Sequence, residues 1–183
     1  YPTGSFDWHA LWPLLAPQRR LIAPDLLGLG FSDKPRHHDY TLASHARTID
    51  ALLGSLGVAQ VHVVAHDLGV RVAQEMLAQR EATSGLAHGN GRRVTHAVGR
   101  FWQPRLAMGQ RLVGALQRSR VPLRLINGSA DPNSGHHMVD RWRSLAPATD
   151  VVRFDSVGHW PHLEAPEATA AAIRDGWLFT GDV

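Results

Sequence analysis

Short apolar runs alternate along this chain with longer segments whose apolar residues recur every three to four positions. That alternation admits few architectures besides βα units feeding a parallel sheet. The clearest unit begins at Val61-His62-Val63-Val64-Ala65, a strand pattern that runs through His66-Asp67-Leu68-Gly69 into helical spacing at Val70, Val72, Ala73, Met76 and Leu77. Upstream, residues 20–24 read as a buried strand ending at Pro24, followed by the turn-rich Gly28-Leu29-Gly30-Phe31-Ser32-Asp33-Lys34-Pro35. Leu42, Ala46, Ile49, Leu52, Leu53 and Leu56 predict a helix that starts at Thr41 or Ser44 and stops at Gly57. Downstream, the patterns predict a helix over 102–116, a strand over 121–126 turning at Asn127-Gly128, a helix over 136–145, a strand over 151–154 and an alanine-rich closing helix over 166–178 with Pro166 in its first turn. Between Arg80 and Trp102 the sequence is loop-like, and 94–98 is at most a short strand. The expected fold class is α/β.

Composition narrows the chemistry. The 183 residues are 44% hydrophobic and 19% charged, enough apolar mass for one globular domain over 1–183. The absence of cysteine removes disulfide frameworks, thiolate metal sites and cysteine nucleophiles together. No apolar run approaches the roughly 20 residues of a membrane span, and no secretory pattern opens the chain, so neither membrane nor export is expected and the default location is cytoplasmic. The chain opens on Tyr1-Pro2 rather than Met, which leads us to expect that a segment upstream is missing. The net charge of +3 rests on arginine, since Lys34 is the only lysine. No carboxylate lies between Glu81 and Asp131, whereas Arg92, Arg93, Arg100, Arg105, Arg111, Arg118, Arg120 and Arg124 do. Without a recognisable binding module or interleaved aromatics, this segment reads as a solvated helix face rather than a nucleic-acid patch.

Asp67 stands at the tip of a strand–turn–helix with the small residues Ala65 and Gly69 two before and two after it. This is the context of a nucleophile elbow, in which a sharp turn leaves room only for small neighbours and a helix amino end adds backbone N–H groups. No Gly-x-Ser-x-Gly occurs in the chain, so Asp67 is the candidate nucleophile; the competing reading is that Asp67 caps the following helix. Asp131 follows the 121–126 strand and His159 the 151–154 strand, so the three residues lie beyond three strand ends in the order nucleophile, acid, histidine. Singly, Asp131-Pro132 would be a turn initiator and His159 a loop residue.

On these residues the chain resembles the α/β-hydrolases of the epoxide hydrolase and haloalkane dehalogenase group. Leu27-Gly28-Leu29-Gly30-Phe31-Ser32-Asp33-Lys34-Pro35, His66-Asp67-Leu68-Gly69 and Gly158-His159 are most similar to the mesoderm-specific-transcript-like subfamily and its bacterial relatives. The resemblance covers residues 1–80 and 111–177, and it implies a mostly parallel sheet flanked by helices, here without its first strands and most of its lid, with 81–110 as a residual lid or linker. It also implies two displacements. Asp67 attacks an electrophilic carbon to form an alkyl-enzyme ester; His159, oriented by Asp131, then activates water, while the N–H groups of Leu68 and Tyr1 hold the oxyanion. A carboxylate nucleophile suits epoxides and alkyl halides better than esters, where an anhydride would form.

The chain departs from that group in ways that keep a second reading open. Lid tyrosines that protonate an epoxide oxygen have no counterpart, the only tyrosines being Tyr1 and Tyr40, and Leu68 stands where many dehalogenases have a halide-holding Trp. Trp102, Trp160 and Arg71 are the candidate substrate contacts. The pairs His37-His38 and His136-His137 and the spacing His159-x-x-His162 suggest a metal, but adjacent histidines chelate one ion poorly, so no metal or other cofactor is expected. The expectation is thus a hydrolase of small molecules, the alternative a catalytically silent hydrolase-like domain that at most binds a ligand or partner.

Overall fold

Alanine-rich and capped helical segments form nearly where their periodicity places them, and the strands form only where a neighbour supplies a ladder. A computed structural model of the protein describes residues 3–86 and 104–178. The chain divides into two compact units, one comprising Tyr1–Arg36 and Val121–Val183, the other His37–Arg120. Trp102 and Tyr1, together with the possible strand at 94–98, lie outside the described residues.

In the first unit, a 3-10 turn at Ser5–Trp8 leads into the short helix α1 (Trp12–Leu15). Strand β1 (Arg124–Gly128) pairs in parallel with β2 (Asp150–Phe154), Arg124 opposite Asp150 and Gly128 opposite Phe154, and α5 (His136–Leu145) connects them. The parallel pairing puts both carboxyl ends on one edge. Two further helices follow, α6 (Pro161–Glu164) and α7 (Pro166–Leu178). Pro166 and Glu167 open α7 as proline and an acidic residue should at a helix start. Its alanine-rich body allows close packing: Ala170 and Ile173 bury against Leu11 and Leu15, with Trp8, Leu21 and Ile126 beside them. Gly128 is fixed by close approach, because a Cβ there would collide with the carbonyl oxygens of Val157 and Gly158.

The second unit holds α2 (Leu42–Ser55), α3 (Leu68–Leu86) and α4 (Pro104–Arg118). The Thr41 hydroxyl accepts the Ser44 N–H at 3.2 Å as the α2 cap, and at the far end Gly57 at φ +67 lets the Val58 N–H reach back to Leu53 O at 2.9 Å. Ala78 of α3 packs with Leu112 and Ala115 of α4, Leu42 lying alongside. Glu75, only 3% exposed, is the charged group in this packing. It receives both Arg111 nitrogens, one at 2.8 Å, and the Gln79 amide at 2.8 Å. Burial pushes its carboxyl upward, but Arg111 and Gln79 outweigh that and hold it below its ordinary value.

Two expected strands do not form. Residues 20–24 and 61–65 carry no strand assignment, and the sheet among the described residues has two strands only. Val61, Val63 and Val64 are 39%, 53% and 42% exposed, so the apolar run lacks the neighbours on both faces that a buried strand requires. The third expected strand begins at Arg124 instead of Val121 and runs through Asn127-Gly128, because the parallel register with β2 carries the ladder to Gly128.

Candidate functional site

Asp67 occupies the turn between the 61–65 segment and α3, and it is the one non-glycine residue among those described with a left-handed backbone, φ +48. The bend is tight: the Gly69 N–H donates to His66 O at 2.8 Å and the Val70 N–H to Asp67 O at 3.0 Å. A Cβ on Gly69 would stand 3.8 Å from the Ala65 Cβ, so positions 65 and 69 do face each other across the turn. That separation is ordinary contact. The steric demand is therefore milder than the sequence suggested, alanine being tolerable at 69. Asp67 is exposed, Leu68 is the first residue of α3 and half-buried, and Arg71, one helical turn beyond Asp67, is exposed.

In the first unit, Asp131 and His159 come together beyond the carboxyl ends of β1 and β2. His159 Nδ1 lies 2.7 Å from Asp131 Oδ2. An ionised carboxylate can only accept, so Nδ1 carries the proton and Nε2 is left as the basic nitrogen. Asp131 is 5% exposed and also accepts the Ser134 hydroxyl and the Asn133 N–H, the latter at 2.8 Å. Burial pushes its carboxyl upward, yet the hydrogen bonds from Ser134 and His159 and the backbone N–H groups win and hold it far below the usual carboxylate range. The side chain of His159 remains 34% exposed, so the pair joins a buried anion to an accessible imidazole.

Trp160 stands edge-on to the His159 ring, 5.2 Å between centroids and 88° between planes. His162 turns away into packing: it is 3% exposed and stacks on Trp8 at 4.7 Å. His136 and His137 meet edge-on, and His38 bonds the Ser44 hydroxyl at 3.1 Å. Among the described residues no three His, Asp or Glu side chains group as metal ligands.

Two carboxylates that hold loops escaped the sequence reading. Glu164 accepts the Gly158 N–H at 2.7 Å and the Trp160 N–H at 3.0 Å, the amides on either side of His159. These backbone bonds hold its carboxyl below the ordinary value. Asp25 accepts the Ser5 N–H at 2.5 Å and the Phe31 N–H at 2.7 Å, which likewise lower its carboxyl, while Lys34 Nζ donates to Gly30 O at 2.8 Å. The signals available were faint: a glutamate five residues after the histidine, and an aspartate directly after the proline that ends an apolar run.

Comparison with known proteins follows the same lines. A family model described as the alpha/beta hydrolase fold matches residues 1–86. LipZ of Mycobacterium tuberculosis, provisionally named a hydrolase, is 26% identical over 242 aligned positions, covering 94% of this chain and 84% of LipZ. The mesoderm-specific transcript homolog protein of Bos taurus is 27% identical over 91% of this chain and 73% of its own length. A haloalkane dehalogenase of Mesorhizobium japonicum is 42% identical over 87 residues, 47% of this chain and 28% of that protein. Among solved structures, the meta-cleavage product hydrolase CumD of Pseudomonas fluorescens IP01 matches with a TM-score of 0.76 at 16% identity, over 99% of this chain and 89% of CumD. Sequence and structural matches agree, and the chain has the α/β-hydrolase fold.

Proposed function

We propose that this α/β-hydrolase opens an electrophilic carbon centre, an epoxide or an alkyl halide, through an ester on Asp67. The observation that carries the reading is the left-handed backbone of Asp67 at the turn into α3, a conformation that non-glycine residues adopt at a cost and that clusters at functional positions. The exposed carboxylate at a helix start suits attack on carbon, and the 42% identity to a haloalkane dehalogenase supports the substrate class. A carboxylate oxygen of Asp67 forms a bond to carbon as the carbon–halogen bond, or one carbon–oxygen bond of the epoxide, breaks. Halide leaves as the anion, whereas the epoxide oxygen stays on the alkyl group and takes a proton from water. Water then adds to the ester carbonyl. His159 Nε2 takes its proton, Asp131 steadies the imidazolium, and the N–H groups of Leu68 and Tyr1 hold the oxyanion. Collapse releases the alcohol, which takes the proton from His159 and regenerates Asp67. In this reading Trp160, Trp102 and Arg71 contact a small-molecule substrate, residues 81–110 are what the chain has of a lid, and the reaction is cytoplasmic. No helix among the described residues is long and apolar enough to cross a membrane.

A catalytically silent domain is the second reading. It is favoured by the 242-position span of the LipZ match, longer than this 183-residue chain, so that the relative has residues within the span that this chain lacks. One experiment separates the two. The His159→Gln variant is incubated with epoxides, haloalkanes and haloacids, and the peptide containing Asp67 is weighed. The hydrolase reading expects a mass gain equal to the alkyl group, abolished by Asp67→Asn. A folded sample that gains no mass with any of the electrophiles sinks that reading in favour of the second.

A further inference from the structure

We infer that Glu164 is a positioning residue for the histidine base, clamping the backbone on both sides of His159 so that its ring meets Asp131 through Nδ1. The inference rests on the reading of His159 as the base that hydrolyses the ester. The Glu164 carboxylate spans the Gly158 and Trp160 N–H groups at 2.7 and 3.0 Å, one oxygen to each. Residue 159 thus lies between two amides held by a single planar group. Hydrogen bonds to an ionised acceptor are roughly twice as strong as neutral ones, and two of them on alternate peptide units restrict the torsions of Gly158 and His159 between. The ring is then fixed at its other end by the 2.7 Å bond from Nδ1 to Asp131.

The rest of the loop fits this role. Gly158 leaves the space that the carboxylate fills, since a Cβ there would stand 3.1 and 3.2 Å from the two Glu164 oxygens. Pro161 opens α6, and the Leu163 and Glu164 N–H groups both return to Trp160 O at 2.9 and 2.8 Å, so the helix that carries Glu164 is a single turn folded back on the histidine loop. Glu164 itself is exposed. Water screens its charge, and the effect on His159 runs through backbone geometry more than through the field.

The test compares the protein with its Glu164→Ala and Glu164→Gln variants. Amide exchange at Gly158 and Trp160 needs no substrate: in Glu164→Ala both amides are expected to exchange about tenfold faster, the worth of one net hydrogen bond each. Glu164→Gln retains a single carbonyl oxygen and is expected to protect one of the two. In single turnover with an electrophile that labels Asp67, Glu164→Ala is expected to slow ester hydrolysis about a hundredfold, as a misplaced group of about 1 Å does. Alkylation stays within about twofold of the parent, so the adduct accumulates, and Glu164→Gln restores part of the rate. Unchanged amide protection, or alkylation and hydrolysis falling together, overturns the clamp. A parent protein that never forms an adduct defeats the functional reading alone, and the exchange data then decide the clamp on their own.

Discussion

At φ +48, Asp67 holds a backbone conformation that costs an ordinary residue about 1–2 kcal/mol and that glycine adopts freely. If Asp67 is the nucleophile proposed above, its placement and the stability of the turn pull apart at this residue. Asp67→Gly is expected to unfold at higher urea than Asp67→Ala, by about 1 kcal/mol, since both lose the carboxylate but only glycine relaxes the turn. Equal midpoints for the two variants would mean that the turn stores no strain. The position of Asp67 was legible in the sequence because its causes are local: an apolar run, small residues at 65 and 69, and a helical pattern at once. The Asp131–His159 pair was legible as two strand ends in order, and the two side chains lie 2.7 Å apart. Glu164 and Asp25 were not, because each acts on backbone N–H groups, which every residue possesses and no sequence pattern marks.

Helices were easier to read than strands for a reason that belongs to the element. The hydrogen bonds of α2, α5 and α7 close within the segment, so periodicity and caps suffice. A strand needs a neighbour, and residues 20–24 and 61–65 have the β-branched or apolar character without a ladder, while β1 and β2 satisfy each other. The helices of the second unit also carry a contact that periodicity could not reveal, Glu75 on Arg111. Its acid is 4% exposed at the side chain and its base 44%, so the pair is buried on one side only. Arg111→Ala leaves the carboxylate with the Gln79 hydrogen bond and the charge of Arg47. The expected loss is about 2 kcal/mol, short of the roughly 3–5 kcal/mol for a fully buried pair because water enters where the guanidinium stood. Replacing both residues with methionine is expected to recover most of it, as urea midpoints of the single and double variants would report.

Among the described residues the shifted acids share one sign across the molecule. Asp25, Glu75, Asp131 and Glu164 are all held below their ordinary values, and burial lowers His45, with His38 adding to the effect. Each of these groups binds its proton more weakly in the folded chain than in the unfolded one. The unfolded state therefore takes up more protons as pH falls, and stability rises with pH across the window. The stabilisation is complete above the unfolded values, 6.5 for His45, 4.5 for the glutamates and 3.8 for the aspartates, and is lost below them. A decline in two stages follows. The first begins near pH 6.5 as His45, 6% exposed and with an Nδ1 that finds no hydrogen-bond partner among the described residues, is driven toward protonation. The second begins near 4.5 and steepens as Asp131, bound to Ser134, Asn133 and His159, is forced to take a proton. Urea midpoints measured from pH 7.5 to 3 would show both stages. His45→Phe is expected to remove the first and leave the second in place, because the ring it replaces contributes no described bond at Nδ1 and the carboxylates are untouched. A midpoint that holds level from pH 7 to 3, or climbs as acid is added, would contradict the shared sign of these shifts, since no group among the five gains stability by protonation in this range.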